Sequence, residues 1–397
     1  MARCSTGAND VPGKIYLDNA ATTKVDPRVI RAMLPYLEET YGNASSLHGP
    51  GQEARQAMQA ARAEIASCIG ARADEIVFTG SGTEANNLAL KGVAFANKGG
   101  GSHIIVSSVE HDCVLRSARW LEGQGFRVTR LPVDGYGFVY PSLVEKAIAA
   151  DTVLVSVQHA NNEIGTVEPI REIANVCRER GVLFHTDACQ SFGKIPLDVE
   201  EQFLDLATIN AHKIYGPKGV AALYVRNGVA IEAWQHGGGQ ERGLRSATEN
   251  VAGIVGFAVA ARLCGEEMET EMARQVGLRD RIITETLGRI ESAYLSGHPT
   301  VRLSNNVNLG FSGMEGDAIR LLVELDRAGI AVSTGSACSS NSSAASHVLT
   351  AIGLNELQAR GALRITLGRF NTEEEVDFLL DVLPQALRRL RPVTSVA

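Results

Sequence analysis

The chain has 397 residues, of which 45% are hydrophobic and 21% are charged, so it can bury a sizeable core and is expected to be folded nearly throughout. Its 38 Lys and Arg residues and 45 Asp and Glu residues give a formal net charge of −7 without a basic block, which argues against direct nucleic-acid binding. Residues 1–14 lack the apolar core of a signal peptide, and no later segment approaches the roughly 20 apolar residues of a membrane span. We therefore expect a cytoplasmic protein that does not insert into membranes.

In chain order, short apolar strands alternate with amphipathic helices from about residue 16 to residue 256, which is typical of a mostly parallel sheet covered on both faces. A helix predicted at residues 52–69 places apolar side chains at three- and four-residue spacing and ends before Gly70. The seven predicted strands are residues 75–78, 103–107, 127–131, 153–157, 182–185, 206–209 and 221–225.

A second, shorter pattern follows a long helix that is predicted at residues 250–289. Its strands are predicted near residues 301–309, 330–333 and 363–367, and its helices from Asp317 and from Thr372. The whole pattern predicts an α/β protein of two domains. The large domain, residues 16–262, has a mostly parallel seven-stranded sheet, and the small α+β domain comprises residues 1–15 and 263–397.

The seven cysteines include no C-x-x-C pair, which indicates reduced thiols and neither a disulfide framework nor a metal site. Six of them are interpreted as small buried side chains, because free cysteine is among the most buried residue types. Cys338 differs, since it lies in a run of small and polar residues, 334–346, with almost no apolar anchor. We expect this run to be an exposed loop that carries a reactive thiol, with an incidental exposed cysteine as the alternative.

Two further features follow predicted strands, where ligands of α/β proteins bind. The turn Thr-Gly-Ser-Gly-Thr-Glu at residues 79–84 begins a helix, so its glycines and free N–H groups suit a phosphate, although such a turn is more often only an N-cap. Asp187 follows the predicted strand that begins with the apolar residues 182–184, and a ligand cation such as a protonated pyridine nitrogen would pair its carboxylate. Gln190 lies within reach of the same ligand, and an ordinary strand-end aspartate is the alternative reading.

A lysine lies just past the predicted strand that ends at Ile209, in residues 211–219. Covalent catalysis with an aldehyde cofactor needs a lysine amine that is held near that aldehyde, and Lys213 suits this requirement. Lys218 is the competing candidate, but it lies in a Gly-Pro-Lys-Gly turn that leads into the next strand.

Several of these features, taken in order along the chain, carry a family resemblance. The motifs are residues 17–23 (Leu-Asp-Asn-Ala-Ala-Thr-Thr), 82–84, 110–111, 161–165, Asp187, 212–213, 236–243 and the Ser-Ala-Cys of 336–338. Together they resemble the cysteine desulfurases of the NifS/IscS type over nearly the whole chain. The resemblance implies a fold-type I pyridoxal 5'-phosphate (PLP) enzyme, aspartate-aminotransferase-like, that works as a homodimer. It also implies that sulfur from L-cysteine is held as a persulfide on Cys338, with L-alanine released, and is passed to an iron–sulfur scaffold protein or another acceptor.

The resemblance implies roles for individual residues. Lys213 would hold the cofactor covalently, Asp187 would pair its ring nitrogen, and His111 would stack on the ring and move protons. Arg364 would bind the substrate carboxylate with help from Asn162, and Arg369 is the less favoured arginine. Further cofactor contacts would come from Gly82, Thr83, Asn162, Gln190, Asn210, His212 and Thr248 of the partner subunit. Asn210 stands where the family commonly has serine. No metal site is expected, apart from Cys338 as a transient iron–sulfur ligand.

Two other functions remain open at this stage. Selenocysteine lysis, transamination or another PLP-dependent lyase reaction would use the same scaffold without needing the Cys338 loop. A catalytically silent platform that binds iron–sulfur assembly proteins would need none of Lys213, Asp187, His111 and Cys338, so their joint presence argues against it.

Overall fold

The computed structural model describes residues 14–334 and 345–390 of the chain. Its strands are β1 Ile15–Tyr16, β2 Ile76–Thr79, β3 His103–Ser107, β4 Arg127–Leu131, β5 Thr152–Ser156, β6 Leu183–Asp187, β7 Leu206–Asn210, β8 Ala221–Val225, β9 Ala293–Leu295, β10 Asn306–Phe311, β11 Ile330–Ala331, β12 Ser333–Thr334 and β13 Leu363–Thr366. Its α-helices are α1 Pro27–Met33, α2 Pro35–Glu38, α3 Gly49–Ser67, α4 Gly82–Asn87, α5 Val93–Ala96, α6 Asp112–Glu122, α7 Pro141–Ala147, α8 Ile170–Glu179, α9 Val251–Arg289, α10 Ala318–Arg327, α11 His347–Ala351, α12 Glu356–Arg360 and α13 Glu373–Leu390. A π-helical turn, Leu88–Gly92, joins α4 to α5.

The large sheet of the described residues has seven strands in the order β2-β8-β7-β6-β5-β3-β4. Strands β3 to β7 are mutually parallel, whereas β8 runs antiparallel to both of its neighbours. Every residue of β3, β5, β7 and β8 is buried, as expected for strands covered by helices on both faces. The seven predicted strands are therefore confirmed, with ends within two residues of the predicted ends.

Helices α3 and α9 pack against each other and share one apolar core with strands of this sheet. The predicted apolar stripe of α3 is confirmed, because Ala54, Met58, Ala61 and Ile65 are all buried. The chain leaves the helix through Gly70, whose φ of +68° is a left-handed conformation that glycine adopts without strain.

The second sheet, β12-β13-β10-β9, is antiparallel, and β1 pairs with β11 beside it. The predicted strand at residues 301–309 begins five residues later, at Asn306. Residues 301–303 instead contact the loop at 165–167, since Leu303 N donates to Gly165 O and Val167 N to Val301 O. The predicted strand at residues 330–333 is split, because β11 pairs with β1 and β12 pairs with β13.

A separate apolar core lies between the second sheet and the helices α9, α10 and α13. It includes Leu278, Ile282, Val307, Leu325 and Leu379, all of which are buried. Helix α9 runs unbroken past residue 262, so the division of the chain at that residue stays a prediction. None of the described helices combines the length and the apolar character that a membrane crossing requires.

Candidate active site

The predicted ligand-binding residues come together because of the direction of the strands. Strands β2, β6 and β7 all point the same way, since β8 is antiparallel to both β2 and β7. Asp187 and Asn210, the last residues of β6 and β7, therefore lie at one edge of the sheet, next to the turn that follows β2. This is the edge at which α/β proteins bind their ligands.

A cavity of about 270 Å³ opens at this edge. Ten of the predicted site residues line it, namely Gly82, Thr83, His111, Asn162, Asp187, Gln190, Asn210, His212, Lys213 and Arg364. Thr248 is exposed and does not line this cavity, and Cys338 lies outside the described residues. The cavity thus brings together residues from positions 82 to 364 of the chain.

The turn after β2 provides the N-cap of α4 and also brings backbone close to the cavity. Ser81 caps α4, because its side chain accepts a hydrogen bond from Glu84 N at 3.1 Å. Glu84 in turn accepts from Gly80 N at 2.8 Å and pairs with Arg245 at 2.5 Å. A Cβ atom on Gly82 would lie 2.6 Å from Cys189 Sγ, so a larger residue at this position would have to displace Cys189 or the start of α4.

Asp187 is a buried carboxylate whose hydrogen-bond donors are neutral. Asn86 Nδ2 donates to its Oδ2 atom at 2.7 Å, and Cys189 N donates to its Oδ1 atom at 2.9 Å. A buried carboxylate is costly unless a cation compensates it, so this residue suits a positively charged ligand group in the cavity.

The loop that carries Lys213 is held by the N-terminal motif at residues 17–23. Thr23 donates to His212 O from both its backbone N and its Oγ1 atom, at 2.9 Å each. Thr23 Oγ1 also accepts from Tyr215 N at 2.9 Å, and Thr22 Oγ1 lies 3.2 Å from His212 Nδ1. These contacts explain how a motif nearly 200 residues earlier in the chain helps to position the lysine.

Both histidines near Lys213 are disfavoured as cations. Burial, and then the charge of Lys213, lower the pKa of His111 below its usual value. The same two causes lower the pKa of His212 to about 4. Near neutral pH, both imidazoles are therefore uncharged and can accept a hydrogen bond through one nitrogen.

Arg364 reaches the cavity from the second sheet and is 2% exposed. Its guanidinium donates to Asn162 O at 3.1 Å and to Asp18 Oδ1 at 2.9 Å, and its Nε atom has no partner among the described residues. A buried guanidinium beside a cavity suits a carboxylate ligand. Arg369, the less favoured arginine, is instead paired with Asp26 at 2.6 Å and with Glu267 at 2.7 Å, and it does not line the cavity.

Sequence reasoning missed several residues that line the cavity: Asn86, Cys113, Glu163, Cys189 and His347. Cys113 and Cys189 are buried, as expected for six of the seven cysteines, but their position at the cavity was not predicted. Glu163 accepts a hydrogen bond from Ser346 Oγ at 2.5 Å, and burial raises its pKa to about 7. The one available signal was that Cys113 and Glu163 are near neighbours of the predicted residues His111 and Asn162.

Comparison with known proteins gives a consistent assignment. The family model Aminotransferase class-V matches residues 15–379. A protein of Dictyoglomus turgidum named cysteine desulfurase IscS is 50% identical over 381 residues, which cover 96% of this chain and 96% of that protein. A solved NifS-like protein has a TM-score of 0.89 at 39% identity, and the match covers 95% of this chain and 100% of that chain.

A second solved structure, described as SspA in complex with cysteine, has a TM-score of 0.79 at 38% identity, with 90% of this chain and 100% of that chain covered. The match to the NifS-like structure covers 95% of this chain, which confirms the predicted fold-type I architecture. The chain therefore belongs to the PLP-dependent class-V aminotransferase family and, within it, to the cysteine desulfurases.

Proposed function

We propose that this enzyme removes sulfur from L-cysteine, releases L-alanine and holds the sulfur as a persulfide on Cys338. The observation that carries the proposal is that Lys213, Asp187, His111 and Arg364 all line one cavity. The relatives' name, cysteine desulfurase, and the neighbour solved with cysteine support the choice of substrate.

The residues of the cavity fit PLP. Asp187 offers a buried carboxylate with only neutral donors, which suits a pyridinium nitrogen. Asn210 has a buried Oδ1 atom without a partner among the described residues, and Gly82 lets backbone approach the cavity. Lys213 would hold the aldehyde, while Gln190, His212 and Thr83 would make further polar contacts. When bound, PLP supplies an aldehyde that condenses with amines and a ring that accepts an electron pair.

The chain's own residues have separate tasks in this proposal. Arg364 binds the carboxylate of L-cysteine, and Asn162, whose carbonyl oxygen already accepts from Arg364, shares this region. Lys213 Nζ takes the Cα proton of the substrate, and His111 moves a proton near the substrate sulfur. The Cys338 thiolate attacks that sulfur, so a sulfur–sulfur bond forms, the carbon–sulfur bond breaks, and its electron pair stays on the carbon, which is then protonated.

Cys338 passes the sulfur to an acceptor, for which we propose an iron–sulfur scaffold protein in the cytoplasm. A second acceptor, such as a thiolation protein, would use the same persulfide. In the same proposal, Cys338 binds an iron–sulfur cluster transiently during the transfer of sulfur to the acceptor.

We also propose that the enzyme is a homodimer in which Thr248 serves the partner's cofactor. Thr248 is exposed in its own chain and does not line the cavity of that chain. A run of exposed apolar side chains on and after α1 and α2 supports the dimer, with Leu37, Tyr41 and Leu47 exposed by 62%, 79% and 82%. Apolar side chains of this size are expected to be covered by a second copy.

The direct test is to add L-cysteine to PLP-loaded protein with an excess of a thiol reductant, which releases the persulfide sulfur as sulfide, and to measure L-alanine, sulfide and keto acid. Alanine and sulfide in equal amounts support desulfuration, whereas keto acid without sulfide would establish transamination in its place. Cys338→Ser should keep the yellow colour of the loaded protein and lose the persulfide. After reduction with borohydride, mass spectrometry should find the cofactor on the peptide of Lys213. Lys213→Ala should lose that adduct, whereas the matched control Lys218→Ala should keep it.

A further inference from the structure

The start of α6 holds a histidine and a cysteine in direct contact. His111 is the N-cap of this helix, and its Nδ1 atom accepts a hydrogen bond from Cys113 N at 3.2 Å. Cys113 Sγ lies 3.0 Å from the same nitrogen. Both side chains line the cavity, but only His111 has a role in the reaction proposed above.

The backbone contact determines which nitrogen of His111 carries the proton. The N–H of Cys113 points at Nδ1, so a proton on Nδ1 would face another proton, and Nδ1 must be an acceptor. A neutral imidazole has one protonated nitrogen, and this leaves the proton of His111 on Nε2.

The thiol of Cys113 is arranged as a second donor to the same atom. Asn86 Nδ2 donates to Cys113 Sγ at 3.1 Å, so the sulfur acts as an acceptor on that side. Burial, and then the negative charge of Asp187, raise the pKa of this thiol to about 12, so it keeps its hydrogen. Nδ1 of His111 is an acceptor 3.0 Å away, so the S–H group is placed to donate to it, and the Thr83 side chain is a further hydrogen-bond partner of the sulfur.

We propose that Cys113 is a positioning residue whose thiol, together with its backbone N–H, keeps His111 neutral with the proton on Nε2. Asn86 connects this arrangement to the base of the cavity, because it also donates to Asp187 Oδ2 at 2.7 Å. A directed series of hydrogen bonds thus runs from Asn86 to Cys113 and on to His111, and a second bond runs from Asn86 to Asp187. The two residues proposed to contact the cofactor ring are held by one shared amide.

The charged groups around His111 shift its pKa in both directions. Lys213 and His347 lower its pKa, whereas Asp187 and Asp112 raise it, and burial is larger than any of these four effects. Removal of the Cys113 thiol leaves all of these groups in place. A change in the titration of His111 in a Cys113 variant therefore reports the thiol itself.

The test is a pH titration of PLP-loaded protein that carries ¹⁵N- and ¹³C-labelled histidine, with the His111 signals assigned by their loss in His111→Gln. The expected wild-type result is an unprotonated Nδ1 and a protonated Nε2. Cys113→Ala removes one donor to the neutral ring, so the pKa of His111 should rise by about half a unit or more. Cys113→Ser, which retains a donor, should stay near the wild type, and Cys177→Ala, a buried thiol on α8, should equal it.

A wild-type His111 with its proton on Nδ1 overturns the proposal, and so does a Cys113→Ala variant that titrates like the wild type. The role of His111 in the reaction rests on the proposed function, but the spectra do not depend on turnover. If the protein gives the expected histidine spectra but forms no alanine from L-cysteine, the proposed function is refuted and the inference about Cys113 is not.

Discussion

Gly82 and Cys189 pack so closely that a Cβ atom added to Gly82 would lie 2.6 Å from Cys189 Sγ. The next atoms that such a Cβ would meet, Asn210 Nδ2 and Thr208 Cγ2, lie at ordinary contact distances of 3.6 and 3.8 Å. The sulfur of Cys189 is thus the single close neighbour among those contacts. Gly82 is the first residue of α4 and lines the cavity. Its contact with Cys189 therefore affects the position of the backbone that faces the ligand.

Gly82→Ala should therefore weaken PLP binding, by about tenfold or more, because the new methyl group forces the start of α4 away from Cys189. The double variant Gly82→Ala/Cys189→Ala removes the opposing sulfur and should recover most of the affinity. Fluorescence or absorbance titration with PLP measures both. Gly99→Ala, where an added Cβ meets no atom within 4 Å, is the control. Equal affinities of the single and double variants would contradict the packing argument.

Arg364→Lys should raise the KM for L-cysteine and lower kcat/KM by about 100-fold, since an ammonium cannot bind a carboxylate with two parallel hydrogen bonds. The matched control is Arg369→Lys, because Arg369 is also held in ion pairs, with Asp26 and Glu267, but does not line the cavity. The control should lower the melting temperature and leave KM unchanged. Steady-state rates of alanine formation measure KM and kcat/KM for each variant. A raised KM in Arg369→Lys would assign binding of the substrate carboxylate to Arg369.

Asp187→Asn should lower the rate of alanine formation by about 100-fold in protein loaded to the same PLP content, because the amide cannot stabilise a positive charge on the ring. Asp205→Asn is a suitable control, since Asp205 lies just before the start of β7, at the opposite edge of the sheet, and accepts a hydrogen bond from Phe184 N at 2.8 Å. The asparagine oxygen can keep that bond. An Asp187→Asn enzyme within twofold of the wild-type rate would refute the role of the carboxylate.

The buried carboxyl group of Glu168 predicts how the free energy of unfolding changes with pH. Burial raises its pKa from 4.5 to about 8, and its Oε1 atom has no hydrogen-bond partner among the described residues. Between pH 4.5 and 8 the folded state keeps a proton that the unfolded state has lost, so stability falls as pH rises through this range.

Glu168→Gln removes that titration and keeps an oxygen to accept the bond from Val139 N, which is 2.8 Å long in the wild type. Relative to the wild type, the variant should gain about 1 kcal/mol or more in free energy of unfolding between pH 5 and pH 8. Urea unfolding at the two pH values measures this difference. If the difference in free energy of unfolding between the variant and the wild type is the same at pH 5 and at pH 8, the carboxyl group of Glu168 does not titrate in this range.

Much of the fold could be predicted because its signals are local. Strands of the large sheet are short runs rich in β-branched and large apolar residues, which is why the strands at 103–107, 127–131 and 221–225 are predicted with correct ends. The strand at residues 301–309 was predicted too early because residues 301–303 are bonded to the loop at 165–167, a contact that no local pattern encodes.

The amino-acid sequence by itself determined which residue types follow the strands, and hence that Gly82, Asp187 and Lys213 would meet at one sheet edge. Only the tertiary structure decided which distant side chains complete the site. Arg364 joins Asp18 across 346 positions of the chain, and Cys113 joins Asn86. The reason is that the alternation of strands and helices along the chain predicts parallel strands, whereas side-chain hydrogen bonds depend on how separate elements pack to within a few tenths of an ångström.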